Sequence, residues 1–295
     1  MAIRWIRSNS SSNRKGILQM KPTPVKLDVQ DLLLEVTRKC NMKCAHCLRG
    51  DGDETSMNDN LLRNIFRNIA HVGTLTFSGG EPSLVPEVLT SALRIAKRYK
   101  IEINQVYVVT NGRDISNKFI GACNGWHRYC FESSVRLPDF CDLEDSYKAI
   151  RWNNHQDEPI GCHVALSMDI YHDDIPKESL LKLLTLPHLE TSKYEPSPDD
   201  DWLIRSGRAD WNGLGHAPAF RTEEINMDVP DEITADTGPV WTEQLYIAAD
   251  GAVMADCNLS YRDQPDYTVE NISAVRPDAD WTGRLMRYVQ DHAEK

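Results

Sequence analysis

Leu32-Leu33-Leu34-Glu35-Val36-Thr37-Arg38-Lys39-Cys40-Asn41-Met42-Lys43-Cys44-Ala45-His46-Cys47 is an apolar run that stops at a loop carrying three cysteines. A short apolar run bounded by polar residues reads as a strand buried on both faces, the pattern of a parallel sheet. Cysteines spaced four and three residues apart can bring three thiolates to one site, and a [4Fe–4S] cluster takes four ligands. Three leave one iron open to another group, and an open position is what a reactive metal centre keeps. Zinc is the alternative. It asks for a second ligand pair at suitable spacing, and no second C-x-x-C occurs in the chain. His46, inside the motif, could serve only with strain.

Outward from this loop the chain alternates strands with helices. Leu61, Leu62, Ile65, Phe66 and Ile69 have helical spacing, with Asn58 or Asp59 able to cap the start. Thr74–Phe77 reads as a second strand, and Val85, Val88, Leu89, Leu93 and Ala96 mark the next helix. Val106–Val109 is a third strand, His163–Leu166 a fourth, and a helix runs through Leu180, Leu181 and Leu184. Repeated βα units imply an α/β fold with parallel strands and functional loops at their C-terminal ends.

Three more motifs sit at those ends: Phe77-Ser78-Gly79-Gly80-Glu81-Pro82, Val109-Thr110-Asn111-Gly112, and Leu166-Ser167-Met168-Asp169. Gly79 and Gly80 allow close backbone approach to a ligand or a tight strand-to-helix turn. Glu81 can bind an amino group or serve as a helix N-terminal charge, and Pro82 fits a first helical turn. Asn111 before Gly112 suits a polar contact or a plain turn, and Ser167 and Asp169 suit a contact or a helix cap.

C-x-x-x-C-x-x-C after a first strand, followed in order by Gly-Gly-Glu-Pro, Thr-Asn-Gly and Ser-x-Asp segments, resembles the radical S-adenosylmethionine (radical SAM) superfamily over roughly residues 30–205. The resemblance implies a partial (β/α)6 TIM-like barrel of parallel strands. It implies a [4Fe–4S] cluster on Cys40, Cys44 and Cys47, with S-adenosylmethionine (SAM) on the open iron. Gly79, Gly80, Glu81, Asn111, Ser167 and Asp169 are then the expected SAM contacts. It further implies reductive SAM cleavage to a 5′-deoxyadenosyl radical that abstracts hydrogen from an organic substrate, with flavodoxin or ferredoxin as the reductant. A non-catalytic relative that kept the fold is the competing class.

The flanks read differently. Residues 1–27 are a basic, serine-rich tail, expected to be loosely packed. Residues 28–210 form the barrel, with an insertion of helix and loop at about 117–159. Residues 211–295 form a smaller α+β extension: Leu245–Ala248, a turn at Asp250-Gly251, Val253-Met254, and a last helix over Trp281–His292. Ser206-Gly207-Arg208-Ala209 and the hairpin Tyr246–Val253 resemble the SPASM or twitch extensions of peptide-modifying radical SAM enzymes. Those extensions hold auxiliary clusters on several cysteines, whereas Cys257 is the one cysteine after Cys162 here. A degenerate, cluster-free extension is expected. The hairpin favours a peptide or protein substrate; the missing cysteines favour a small metabolite or nucleotide. Cys123, Cys130, Cys141 and Cys162 read as small buried hydrophobes, with a second cluster as the alternative. Among the scattered histidines (His127, His155, His163, His172), only His172 near the substrate-side loop merits a test.

A formal net charge of −11 over 295 residues argues against a broad nucleic-acid surface. No stretch approaches the roughly 18 consecutive apolar residues of a membrane span, nor is there a signal-peptide core, so a cytoplasmic protein is the default.

Overall fold

The computed structural model describes residues 25–134, 161–168, 174–193, 204–215, 217–218, 224–234 and 236–292. The basic tail to residue 24, most of the insertion, and Cys141, His155, Asp169 and His172 lie outside the described residues.

In chain order come β1 (Leu27–Thr37), α1 (Asp59–Phe66), β2 (Ile69–Gly79), α2 (Pro86–Tyr99), β3 (Glu102–Thr110), α3 (Asn117–Ser134), β4 (Gly161–Met168), α4 (Lys177–Leu183) and β5 (Leu189–Lys193). There follow β6 (Ile204–Arg205), α5 (Gly207–Trp211), β7 (Ala217–Pro218), β8 (Val240–Ile247), β9 (Ala252–Met254), β10 (Glu270–Asn271) and α6 (Trp281–His292). Asn58 caps α1, its side chain accepting from Asn60 N and Leu61 N. Pro82 opens a short 3-10 turn, Pro82–Leu84, and α2 starts only at Pro86.

The main sheet runs β10-β9-β8-β1-β2-β3-β4-β5. Every pair from β8 through β1 to β5 is parallel, and β8-β9-β10 is antiparallel. The α/β class with a parallel barrel-type sheet is therefore present. One strand occupies a place that local reading does not reveal. The hairpin at Leu245–Met254 forms, but its first strand joins the main sheet beside β1. The register pairs Leu32 with Leu245 and Leu34 with Ile247, so apolar side chains of β8 continue the apolar face of β1.

That face is the core. Leu32, Leu34, Val36, Leu75, Phe77, Val106, Val108, Val164 and Leu166 are buried in one cluster with Trp126 of α3 and Trp281 of α6. Phe77 and Trp126 lie with ring centroids 5.3 Å apart, and Trp126 Nε1 donates to Leu89 O at 3.1 Å. A fully buried large apolar side chain is worth about 1.5–3 kcal/mol. Cys123, Cys130 and Cys162 belong to this core, and burial pushes the Cys130 thiol up to about 12. They pack as hydrophobes. No helix among the described residues is long and apolar enough to cross a membrane.

The opposite face carries a smaller cluster, with Tyr246, Ala248, Ala252, Met254 and Leu259 packed against Leu33 and Cys257. Glu35 interrupts it. Its buried carboxylate accepts from Arg38 Nε (2.9 Å), Ala249 N (3.1 Å), Gln264 Nε2 (2.9 Å) and the Tyr246 hydroxyl. Arg38 continues to Asp250 and to Gln264 Oε1, each at 2.9 Å. This network ties β1 to residues more than two hundred positions downstream. Removing one member of a buried ion pair costs about 3–5 kcal/mol because its partner is left uncompensated. Glu35→Ala is expected to lose about 3 kcal/mol in urea unfolding and Glu35→Gln distinctly less. A loss under about 1 kcal/mol in Glu35→Ala would contradict the network's role.

Candidate functional site

Parallel pairing sets the C-terminal ends of β1, β2, β3 and β4 side by side. β1 runs into the cysteine loop, and a register irregularity there sets Thr37 opposite Gly79. Gly80 N donates to Thr37 O (2.8 Å) and Glu81 N to Lys39 O (2.7 Å). A Cβ on Gly80 would stand 2.1 Å from Lys39 O. Gly79 has φ +136°, and a Cβ there would stand 2.2 Å from Thr37 O. Only glycine permits this contact. The close approach expected of the glycine pair is made here to the backbone that enters the cysteine loop.

Glu81 is buried at the centre of this junction. Its Oε1 accepts from Ser83 N (2.9 Å) and Thr110 Oγ1 (2.7 Å), and its Oε2 accepts from Asn111 N (2.7 Å). Burial holds the carboxyl above the usual range; the donors at Asn111, Thr110 and Ser83 pull the other way without overcoming it. Glu81 thus joins the end of β2 to the end of β3. Asn111 makes the next link. Its Nδ2 donates to Asn41 Oδ1 (2.9 Å) and lies 4.0 Å from Cys40 Sγ, while its Oδ1 accepts from Arg113 N (3.0 Å). Three of the four motifs are therefore hydrogen-bonded to one another. β4 brings Ser167 to the same end of the sheet, paired with Ser192 in register; its side chain and Asp169 lie outside the described residues.

Cys40 is exposed, while Cys44 and Cys47 are half-buried. The loop turns tightly, with Cys47 N donating to Cys44 O (3.2 Å) and Gly50 N to Cys47 O (3.3 Å). Among the described residues, no three His, Cys, Asp or Glu side chains are gathered closely enough for a single metal ion. A four-iron cluster asks for something else. Each cysteine binds a different iron, so the thiols stand further apart than around one zinc. Three thiols on one open turn match the donor set of such a cluster with one iron free.

Local sequence reading missed what holds this loop. Arg208 N donates to Cys47 O (2.9 Å), Arg208 Nη1 to Cys44 O (3.3 Å) and Asn212 Nδ2 to Ala45 O (2.9 Å). Asp51 fixes the guanidinium, accepting from Nε (3.0 Å) and Nη2 (2.8 Å). Gly207, at φ +55°, packs so closely that a Cβ would lie 2.3 Å from Leu48 O. Tyr261 N donates to Arg49 O (2.9 Å), Arg49 Nη1 donates to Leu259 O (2.7 Å), and the Arg49 guanidinium lies over the Tyr246 ring at 4.8 Å. The only hint in the sequence was the Ser-Gly-Arg-Ala segment, which says nothing about what it touches.

A parallel α/β sheet whose first strand feeds a three-cysteine loop, braced by a glycine-glutamate turn, is the frame of this site. Residues 34–125 match the model of the Radical SAM superfamily. Among solved structures, Streptococcus suis SuiB bound to precursor peptide SuiA is similar at 10% identity and TM-score 0.39, over 87% of this chain and 65% of that one. The chain thus spans less than two thirds of SuiB. Native anSMEcpe with bound AdoMet and Cp18Cys peptide is similar at 10% identity and TM-score 0.40, over 89% of this chain and 83% of that one. No curated protein matches the chain.

Proposed function

We propose that this chain is an enzyme that reductively cleaves SAM and abstracts a hydrogen atom from an organic substrate, a peptide or protein. The observation that supports it most is the junction of three motif loops: Gly80 on Thr37, Glu81 on Lys39, and Asn111 on Asn41 beside Cys40. Cys40, Cys44 and Cys47 would hold three irons of the cluster. Gly79, Gly80, Glu81, Asn111, Ser167 and Asp169 would bind SAM, with Glu81 serving its amino group. When bound and reduced, the cluster and SAM supply homolysis of a sulfonium C–S bond, which yields methionine and a 5′-deoxyadenosyl radical. The protein's part is to bind, orient and exclude water, and Arg208 and Asn212 keep the cysteine turn in one shape for that purpose. An external one-electron donor of the flavodoxin or ferredoxin type supplies the reducing equivalent.

The peptide assignment rests on the hairpin β8–β9, whose sequence resembles the opening of extensions found in peptide-modifying relatives. A small metabolite or nucleotide is the second reading, supported by the single cysteine, Cys257, after Cys162.

Anaerobic reconstitution with iron and sulfide, then reduction with dithionite in the presence of SAM, tests the chemistry. 5′-Deoxyadenosine above a no-enzyme control is expected. A loaded cluster that binds SAM yet releases none, with peptide or metabolite pools added, would overturn the catalytic reading in favour of a binding relative.

A further inference from the structure

Three side-chain hydroxyls among the described residues are buried without a hydrogen-bond partner: those of Ser83, Ser206 and Tyr261. A buried polar group left in this state costs about 1–3 kcal/mol, and native proteins keep few of them. All three lie in segments fastened to the cysteine loop or the glycine turn. Ser83 donates its backbone N–H to the Glu81 carboxylate. The other two flank one cysteine.

Ser206 directly precedes Gly207, where a Cβ would lie 2.6 Å from Cys47 O, and the next residue, Arg208, donates its N–H to that same carbonyl. Ser206 stands at the head of α5 but makes no capping bond. Tyr261 comes from the C-terminal region. Its N–H is held by Arg49 O, its ring edge lies 3.3 Å from a Cβ placed on Gly52, and the Arg38 guanidinium sits 5.3 Å from its ring centroid. Two segments from distant parts of the chain are thus pinned to the turn at Cys47–Gly52, each ending in a donor with no acceptor.

What such a site lacks is an acceptor. Cluster sulfide and cysteine thiolate answer that description, and hydrogen bonds to those sulfurs are among the levers that set a cluster's potential. We propose that the hydroxyls of Ser206 and Tyr261 donate hydrogen bonds to sulfur atoms at the Cys47 corner of the cluster and so hold its reduction potential up. The inference rests on the cluster assignment made above. It gives the C-terminal region, which lacks the cysteines for a cluster of its own, a part in tuning the first one.

The test is a redox titration of the reconstituted full chain without SAM, followed by electron paramagnetic resonance of the reduced cluster. Iron and sulfide content are measured in every sample. Tyr261→Phe and Ser206→Ala each remove one oxygen. Each is expected to load like the parent and to titrate at a more negative potential. In the double variant the reduced-to-oxidised ratio at the parent's midpoint falls about tenfold, which for a one-electron couple is about 59 mV. Superimposed titrations of parent and both single variants would overturn the proposal while leaving the cluster assignment intact. Should Tyr261→Phe fail to fold, the Ser206→Ala titration decides by itself. A parent that takes up no iron and sulfide overturns the cluster assignment, and this inference with it.

Discussion

Cys44→Ala is expected to bring iron and acid-labile sulfide to background and to lower 5′-deoxyadenosine formation by more than about a hundredfold, the upper end of what losing an outer-shell partner alone produces. Under the proposed cluster assignment each cysteine of the loop would hold a different iron, so deleting one would leave two anchors for a four-iron unit. Cys44 is also the middle thiol of the turn, and its carbonyl is already engaged by Cys47 N and Arg208 Nη1. The backbone around it therefore stays where it is, and the loss falls on ligation. Cys130→Ala serves as the contrast: that thiol is packed in the helical core, and its removal leaves iron content unchanged. Cleavage retained by a reconstituted Cys44→Ala sample would sink the assignment.

Substitution of Glu81 separates two roles that the same carboxylate is expected to play. As a brace, it receives Ser83 N, Thr110 Oγ1 and Asn111 N. Alanine leaves all three donors unanswered in a buried place, which should lower unfolding free energy by about 3 kcal/mol. Glutamine keeps an acceptor for two of them and sets its own N–H group against the third, a loss of about 1–2 kcal/mol. As a SAM contact, Glu81 should matter for affinity beyond this difference in stability. Both variants are expected to load the cluster and to bind SAM at least about tenfold more weakly, equivalent to about 1.4 kcal/mol. Denaturation and a SAM-binding titration read the two roles independently. Unchanged affinity in Glu81→Gln would leave the carboxylate as a brace alone.

Much of this was legible in the sequence because it is local. The cysteine turn, the glycine pair, the β strands around Leu32–Val36, Thr74–Phe77, Val106–Val109 and His163–Leu166, the Asn58 cap and the helix over Trp281–His292 all follow from spacing, capping and periodicity. The neighbours of these pieces do not. Nothing around Val240–Ile247 says that the strand lies beside β1, because a register of Leu32 with Leu245 is a property of two segments taken together. Arg208 and Asn212 look like ordinary surface residues until their donors meet the carbonyls of Cys44 and Ala45. Glu35 was open to a closer reading. A lone acid inside Leu-Leu-Leu-Glu-Val is seldom buried unless paired, and its partners Tyr246 and Gln264 arrive from the C-terminal region.

The clasp on the cysteine turn also has a consequence in time. The donors that hold the carbonyls of Cys44 and Ala45 lie 164 and 167 residues further along the chain, and Tyr261 comes later still. At a synthesis rate of about 5–20 residues per second, the three thiols leave the ribosome many seconds before this clasp can close on them. During that interval the turn has only its own local hydrogen bonds and those to the glycine turn and Asn111. Under the proposed cluster assignment, metal delivery that waits for the finished chain would meet a turn already clasped, and delivery that comes early would meet one without the clasp of Arg208 and Asn212.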